Sequence, residues 1–261
     1  MGAVTLWGRE HVAYGDIVVR DAGPGSAVAL TRGLHPKPYR YTDPNEDVVA
    51  AVTGPRAALL VVADGHNGAA SSEVAVPTVL ERLGDDPPPA DLDDEELVRL
   101  FHDVGWAVLH ATTALDRARR ESRTTLSVAL VAGGVLQWAA MGDSPVVVAD
   151  LESAHELTVP THHFVGWPLP AGQVDRLLQR GRAPLRETAW VAVLSDGFSN
   201  FTGGRTTADA VHRVLATAGT AEAGAAELVQ AAFAGGAGDN VAAAVLAPRG
   251  ADHPRAGPSA G

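Results

Sequence analysis

Four short segments place acidic side chains where apolar runs begin or end. Asn45-Glu46-Asp47 leads into VVAAV, Asp64-Gly65-His66 follows ALLVVA, Asp196-Gly197 follows WVAVL, and Asp239-Asn240 precedes VAAAV. Short apolar runs bounded by turn residues read as buried strands, and strand ends set side by side in a sheet would bring these carboxylates together. Hard divalent cations such as Mg²⁺ and Mn²⁺ take oxygen ligands, and several carboxylates are needed to offset a pair of ions. Singly, each Asp-Gly or Asp-Asn pair is ordinary turn chemistry; the joint occurrence of all four, in this order, carries the reading.

The elements that must position these groups are legible in outline. Short apolar alternations at 17–19 and 27–30 read as strands or strand edges, and the Pro- and Asp-rich stretch 35–47 as a loop. Residues 57–63 predict a buried strand that stops at the Asp64-Gly65 turn. Residues 71–83 have helical spacing, with Ser71 or Ser72 as N-cap. An acidic, Pro-rich connector (84–96) precedes a long amphipathic helix over 97–120, whose basic end suits a helix C-terminus. Two apolar strands around Gly133-Gly134 predict a tight hairpin, and 145–150 reads as the next strand of the same meander. A short helical stretch near 173–179, a strand over 189–197 ending in a second Asp-Gly turn, helices over 207–217 and 221–233, and a last strand VAAAVLA complete the pass. Helices among several antiparallel strands argue for an α+β fold. Residues 1–247 read as one domain and 248–261, rich in Gly, Pro and Ala, as a disordered tail.

Composition narrows the chemistry. The 261 residues are 46% apolar and 20% charged, enough to bury a core. The formal net charge is −11, and no dense Lys/Arg run offers the basic face that nucleic acid or anionic lipid requires. The absence of cysteine excludes disulfides, thiolate catalysis, zinc–thiolate sites and iron–sulfur clusters, so any metal must be held by oxygen or imidazole. The N-terminus lacks a basic region followed by an apolar stretch, and no apolar run reaches the ~18–20 residues of a membrane span. The expectation is a soluble, cytoplasmic protein.

With these segments in order, the sequence resembles the metal-dependent serine/threonine protein phosphatases of type 2C, over about residues 25–247. NED (45–47) is similar to the family's first acidic motif, VVADGHNG (61–68) to its DGHGG motif, and TTLSVALVAGGVLQWAAMGDSPVVV to its central segment. WVAVLSDGFSN (190–200) is similar to the second DG motif and GDNVAAAVL (238–246) to the closing DN motif. The resemblance implies an α-β-β-α sandwich of two antiparallel sheets flanked by helices, with a centre for two Mn or Mg ions between the sheet ends. It implies that Glu46 and the Gly65 carbonyl serve one ion, Asp196 and Asp239 the other, and that Asp64 bridges them. Asp47 would hold a water in a second shell, and Asp143 would help bind a weaker third ion. A water made acidic by the two ions would attack phosphorus in line, and His66 would protonate the leaving alkoxide.

The sequence departs from the family at several positions. An Arg that binds substrate phosphate in the family would fall at Thr42; Arg40, two residues earlier, is the candidate substitute. DGHGG reads DGHNG, and Asn67 tolerates positive φ better than most residues. Pro145 stands after GDS, which places a strand start or an edge there. His162 and His163 are adjacent, point to different faces of an extended segment and read as structural or exposed. The short 151–188 span implies a trimmed flap and leaves three readings: a phosphatase of phosphoserine and phosphothreonine on proteins, a phosphatase of a small metabolite, or an inactive binding domain. The retained carboxylates argue against the last, and the missing basic groove against a nuclease.

Overall fold

Val48, Ala50 and Val52 alternate along one strand with Val49 and Ala51, and both sets are fully or almost fully buried. A strand whose two faces are both covered needs a layer on each side, and the chain supplies them. The computed structural model describes residues 2–37, 42–84 and 88–248.

In chain order the described elements begin with β1 (Gly2–Trp7), β2 (Val18–Asp21), β3 (Ser26–Thr31), β4 (Asp47–Thr53) and β5 (Ala57–His66). Helices α1 (Ala70–Leu83) and α2 (Asp94–Thr113) follow. Next come β6 (Arg123–Thr124), β7 (Leu126–Ala132), β8 (Val135–Met141), β9 (Val146–Ala149), β10 (Ala154–Glu156) and α3 (Ala171–Leu177). The chain continues through β11 (Gln179–Pro184), β12 (Trp190–Leu194), α4 (Asp196–Ser199), α5 (Thr207–Leu215), α6 (Ala221–Ala234) and β13 (Val241–Leu246). One sheet has the order β1-β4-β5-β7-β8-β11, with β6 on the end of β5; the other has the order β10-β9-β12-β13-β3-β2. Their pairings are antiparallel.

Val49, Ala51, Leu60 and Val62 of the first sheet meet Val28, Leu30, Val193 and Ala244 of the second. The alternate residues Val48, Leu59 and Val61 pack against Val76, Val79, Phe101 and Val104 of α1 and α2. On the far side, Ala192, Leu194 and Ala243 pack against Leu215, Leu228 and Val229 of α5 and α6. The layers run α-β-β-α, as the resemblance implied. Complete burial of a Val or Leu side chain contributes about 1.5–3 kcal/mol, so this alternation dominates the stability. Among the described residues no helix is long and apolar enough to cross a membrane.

Several local expectations are corrected. β1 was not foreseen. β5 does not stop at Asp64-Gly65, because Gly65 and His66 go on to pair with Thr124 and Arg123; the turn falls at Asn67 and Gly68, with φ of 63° and 119°. Neither Ser71 nor Ser72 caps α1, whose N-cap is Ala69. Ser71 donates instead to the Arg123 carbonyl at 2.6 Å, and Ser72 to the Glu46 carbonyl. α2 begins with a capping box between Asp93 and Glu96 and ends at Thr113, short of the basic run. β9 leaves the meander and joins the second sheet beside β12. Asp196-Gly197 opens the short helix α4 rather than a turn.

The basic run past α2 has a positional task. Arg119 donates to both Asp43 oxygens, at 2.7 and 3.3 Å, and the Ala69 amide donates to the same carboxylate at 3.0 Å. This ties the segment before Glu46 to the start of α1. Burial works against the ionised Asp43, but these bonds outweigh it and hold the carboxyl below its usual range. A depressed pKa contributes stability that is present above the unfolded value and is lost as pH falls through the folded one. Arg119→Ala should therefore cost about 1 kcal/mol at pH 7, kept modest by the 39% exposure of the arginine side chain. In urea unfolding, the gap to the unsubstituted protein should narrow below about pH 4.

Candidate active site

The register of the first sheet sets the site. Asp47 and Asp64 are direct partners across β4 and β5, on the same side as Val49 and Val62, which face the second sheet. Two carboxylates thus point into the space between the sheets at one end of the sandwich. The second sheet adds Asp196, just past β12, and Asp239, just before β13.

Backbone positions around them are held by side chains from both sheets. The Asn240 carboxamide accepts from the Glu46 amide at 2.9 Å and donates to the Arg32 and Pro44 carbonyls at 3.1 and 3.2 Å. It therefore fastens the end of one sheet to the other. Thr125 accepts from the Asp64 amide at 3.0 Å, and Thr124 donates to the Asp64 carbonyl at 2.9 Å. The Gly65 amide donates to the Glu46 carbonyl at 3.1 Å, and a Cβ at Gly65 would stand 2.7 Å from that oxygen.

Glu46, Asp47 and Asp239 are buried, at 3%, 0% and 6% exposure, while Asp64, Asp143 and Asp196 open partly to a cavity of about 290 Å³. Burial pushes the Asp47 carboxyl up to about 7, and the Asp239 and Asp196 charges add to the shift. Ser195 lies near enough to favour the ionised form, yet among the described residues no donor meets either Asp47 oxygen in hydrogen-bonding geometry. Burial and the Asp47 and Asp196 charges also raise Asp64 well above its usual range, and its carboxyl lies within hydrogen-bonding reach of Asp196. Asp196 is raised by burial and by Asp239. Asp143 is pushed up to about 6, by burial and then by Asp196. In each case burial away from water is the first cause of the rise and the charge of a neighbouring carboxylate the next one upward.

Among the described residues one positive group lies inside the cluster. The Lys37 ammonium is 3.2 Å from Glu46 Oε2 and 3.0 Å from Asp239 Oδ1, with its side chain 5% exposed. Sequence reasoning passed over it, although a signal existed: of the 20 Lys and Arg residues in the chain, Lys37 alone is lysine. Asn240 was also passed over as an anchor.

The acidic residues named from sequence, Glu46, Asp47, Asp64, Asp143, Asp196 and Asp239, all come to this end of the sandwich. His66 is at the cavity rim, its ring stacked on Phe164 with centroids 5.2 Å apart and planes 7° from parallel. His162 is exposed, as expected, and lines the cavity; its charge would lower the pKa of Asp143. Arg40 lies outside the described residues. A larger cleft of about 750 Å³ lies at the opposite end of the sandwich, around Gly54, Pro55 and Gly133, away from the carboxylates.

Among the described residues no three carboxylates or imidazoles converge closely enough to hold an ion as they stand; the ammonium of Lys37 lies between Glu46 and Asp239. The donor set nevertheless suits hard divalent cations. It is all oxygen, it carries more negative charge than Lys37 offsets, and it includes two buried Asp47 oxygens with no donor.

A family model described as protein phosphatase 2C matches residues 37–231. No curated protein matches. Among solved structures, a point mutant of a bacterial serine phosphatase is similar with a TM-score of 0.70 and 19% identity, over 85% of this chain and 97% of that one. The catalytic domain of the serine/threonine protein phosphatase PstP in complex with two manganese ions is similar with a TM-score of 0.68 and 22% identity, over 89% and 99%. The phosphatase Stp1 from Staphylococcus aureus gives 0.65 and 17%, over 85% and 94%. At these identities the likeness is one of fold.

Proposed function

The chain belongs to the protein phosphatase 2C family, and on that premise we propose that it removes phosphate from phosphoserine and phosphothreonine in protein substrates. The coarser activity, metal-dependent phosphatase, follows from the family. The observation that supports the site is the Asp47–Asp64 pair facing Asp196 and Asp239 across the gap between the sheets.

In this reading Glu46 and the Gly65 carbonyl would hold one Mn or Mg ion, Asp196 and Asp239 the other, and Asp64 both. Asp143 would serve a weaker third. When bound, the two ions supply the charge that acidifies a water and offsets the phosphoryl oxygens. Asp47, whose oxygens have no donor of their own, accepts a hydrogen bond from the attacking water and turns its lone pair toward phosphorus. His66 delivers a proton to the leaving alkoxide, and the Phe164 ring stacked on it restricts where that proton is presented.

The test is hydrolysis of an aryl phosphate, of phosphoserine and phosphothreonine peptides, and of a sugar phosphate, with Mn²⁺, with Mg²⁺ and after chelation. Turnover should require metal and favour the peptides. Turnover that survives chelation removes the proposed site, and preference for the sugar phosphate moves the function to a metabolite.

A further inference from the structure

Lys37 is the single lysine of the chain, and its Nζ stands between carboxylates of both sheets, near Glu46 on one and Asp239 on the other. The ammonium is 3.2 Å from Glu46 Oε2 and 3.0 Å from Asp239 Oδ1, with the side chain 5% exposed, so its charge is set against carboxylates rather than water. A lysine ammonium is a compact charge on a flexible stem, whereas the arginine fork is planar and wide. Of the two, only lysine approximates an ion that a carboxylate cage could close around.

We propose that Lys37 is a resident cation of this cluster that competes with the divalent ions: its ammonium occupies oxygens of Glu46 and Asp239 that the ions need, and it must withdraw for them to be held. The proposal rests on the metal-centre reading above. The same oxygens cannot lie about 2.0–2.2 Å from a small divalent ion while the ammonium keeps its present place between them, because like charges a few ångströms apart in a poorly solvated site repel strongly. The lysine therefore sets how much metal the protein needs. It also offsets the carboxylates until metal arrives, so the cluster is not left as several unopposed charges.

The test uses the whole chain. Calorimetric titration with Mn²⁺ should give a dissociation constant at least about tenfold lower for Lys37→Met than for the unsubstituted protein. In chelator the variant should unfold at a lower temperature, and added Mn²⁺ should raise its midpoint by more. A measurement without substitution uses protein labelled with ¹⁵N and ¹³C at lysine. The single side-chain resonance set should shift during titration with diamagnetic Mg²⁺, in step with saturation. Equal or weaker Mn²⁺ binding by Lys37→Met, or a lysine resonance unmoved at saturating Mg²⁺, overturns the proposal and leaves the metal-dependent phosphatase standing. No metal uptake by either protein removes both.

Discussion

Replacing Asp64 with asparagine is expected to abolish metal-dependent turnover, by at least about 10²–10³-fold, while raising the thermal midpoint measured in chelator. The two effects have one origin. Asp64 faces Asp47 across the ladder and Asp196 across the gap between the sheets, so it is the carboxylate best placed to be shared by two ions and the one most strained by its neighbours without them. Asparagine keeps the shape and removes the charge. Its amide can donate to Asp196, which lies within reach of the native carboxyl, so no buried polar group is orphaned. A gain of about 1–2 kcal/mol is reasonable for removing such a conflict at a functional site, and for a chain of this size it raises the midpoint by roughly 2–8 °C. Added Mn²⁺, which should stabilise the unsubstituted protein by mass action, should do little for the variant. A variant that is less stable in chelator, or that still turns over, would count against the cluster as described.

The same conflict fixes the sign of the pH dependence. Asp47 is pushed up to about 7 and Asp143 to about 6, chiefly by burial. A carboxyl with a raised folded pKa binds protons more tightly folded than unfolded, so its contribution to stability is lost as pH rises from the unfolded value near 4 through the folded one. In chelator these two groups should make the protein lose stability between about pH 4 and 7. In the proposed site divalent ions would take oxygens of Asp64, Asp143 and Asp196, whose carboxyls are also raised, so metal uptake near pH 6 should release protons.

Much of this was legible in sequence because the acidic residues sit against apolar runs, and those runs are apolar throughout because both sheet faces are buried. Val48 to Val52 reads as one block for this reason, although its odd and even residues serve different layers. What sequence could not show is which strand joins which sheet. β9 follows β8 by a few residues and looks like its partner, yet it pairs with β12 in the second sheet, where Val147 and Ala149 meet the apolar face of α5 and α6. Ser71 and Ser72 looked like caps because capping and tertiary hydrogen bonds draw on the same side chain; only the approach of β4 and β6 decides between them. Lys37 lies in a loop without periodicity, where pattern carries no information and rarity of residue type was the one clue.

Gly197→Ala should be among the most damaging single-methyl changes available near the site. A Cβ there would fall on the backbone carbonyl oxygen of Asn240 and stand 2.9 Å from its carbon. Backbone cannot step aside as a flexible side chain can, so either the end of β12 or the start of β13 must move. These ends carry Asp196 and Asp239. Nor is Asn240 free to yield alone, since its carboxamide holds the Glu46 amide and the Arg32 and Pro44 carbonyls, and any shift passes on to Glu46. Overpacking of this kind costs about 1–3 kcal/mol where neighbours can adjust, and about 3 kcal/mol or more is expected here. A displacement of about 1 Å in a catalytic constellation costs roughly 10²-fold in rate, so turnover should fall even in protein that remains folded at low temperature. Gly172→Ala provides the contrast. It lies in α3, has nothing within 4 Å of its would-be Cβ, and should be neutral or stabilising by up to about 1 kcal/mol through helix propensity. If the two variants unfold at the same urea concentration, the close approach of β12 and β13 is not what brings Asp196 and Asp239 together.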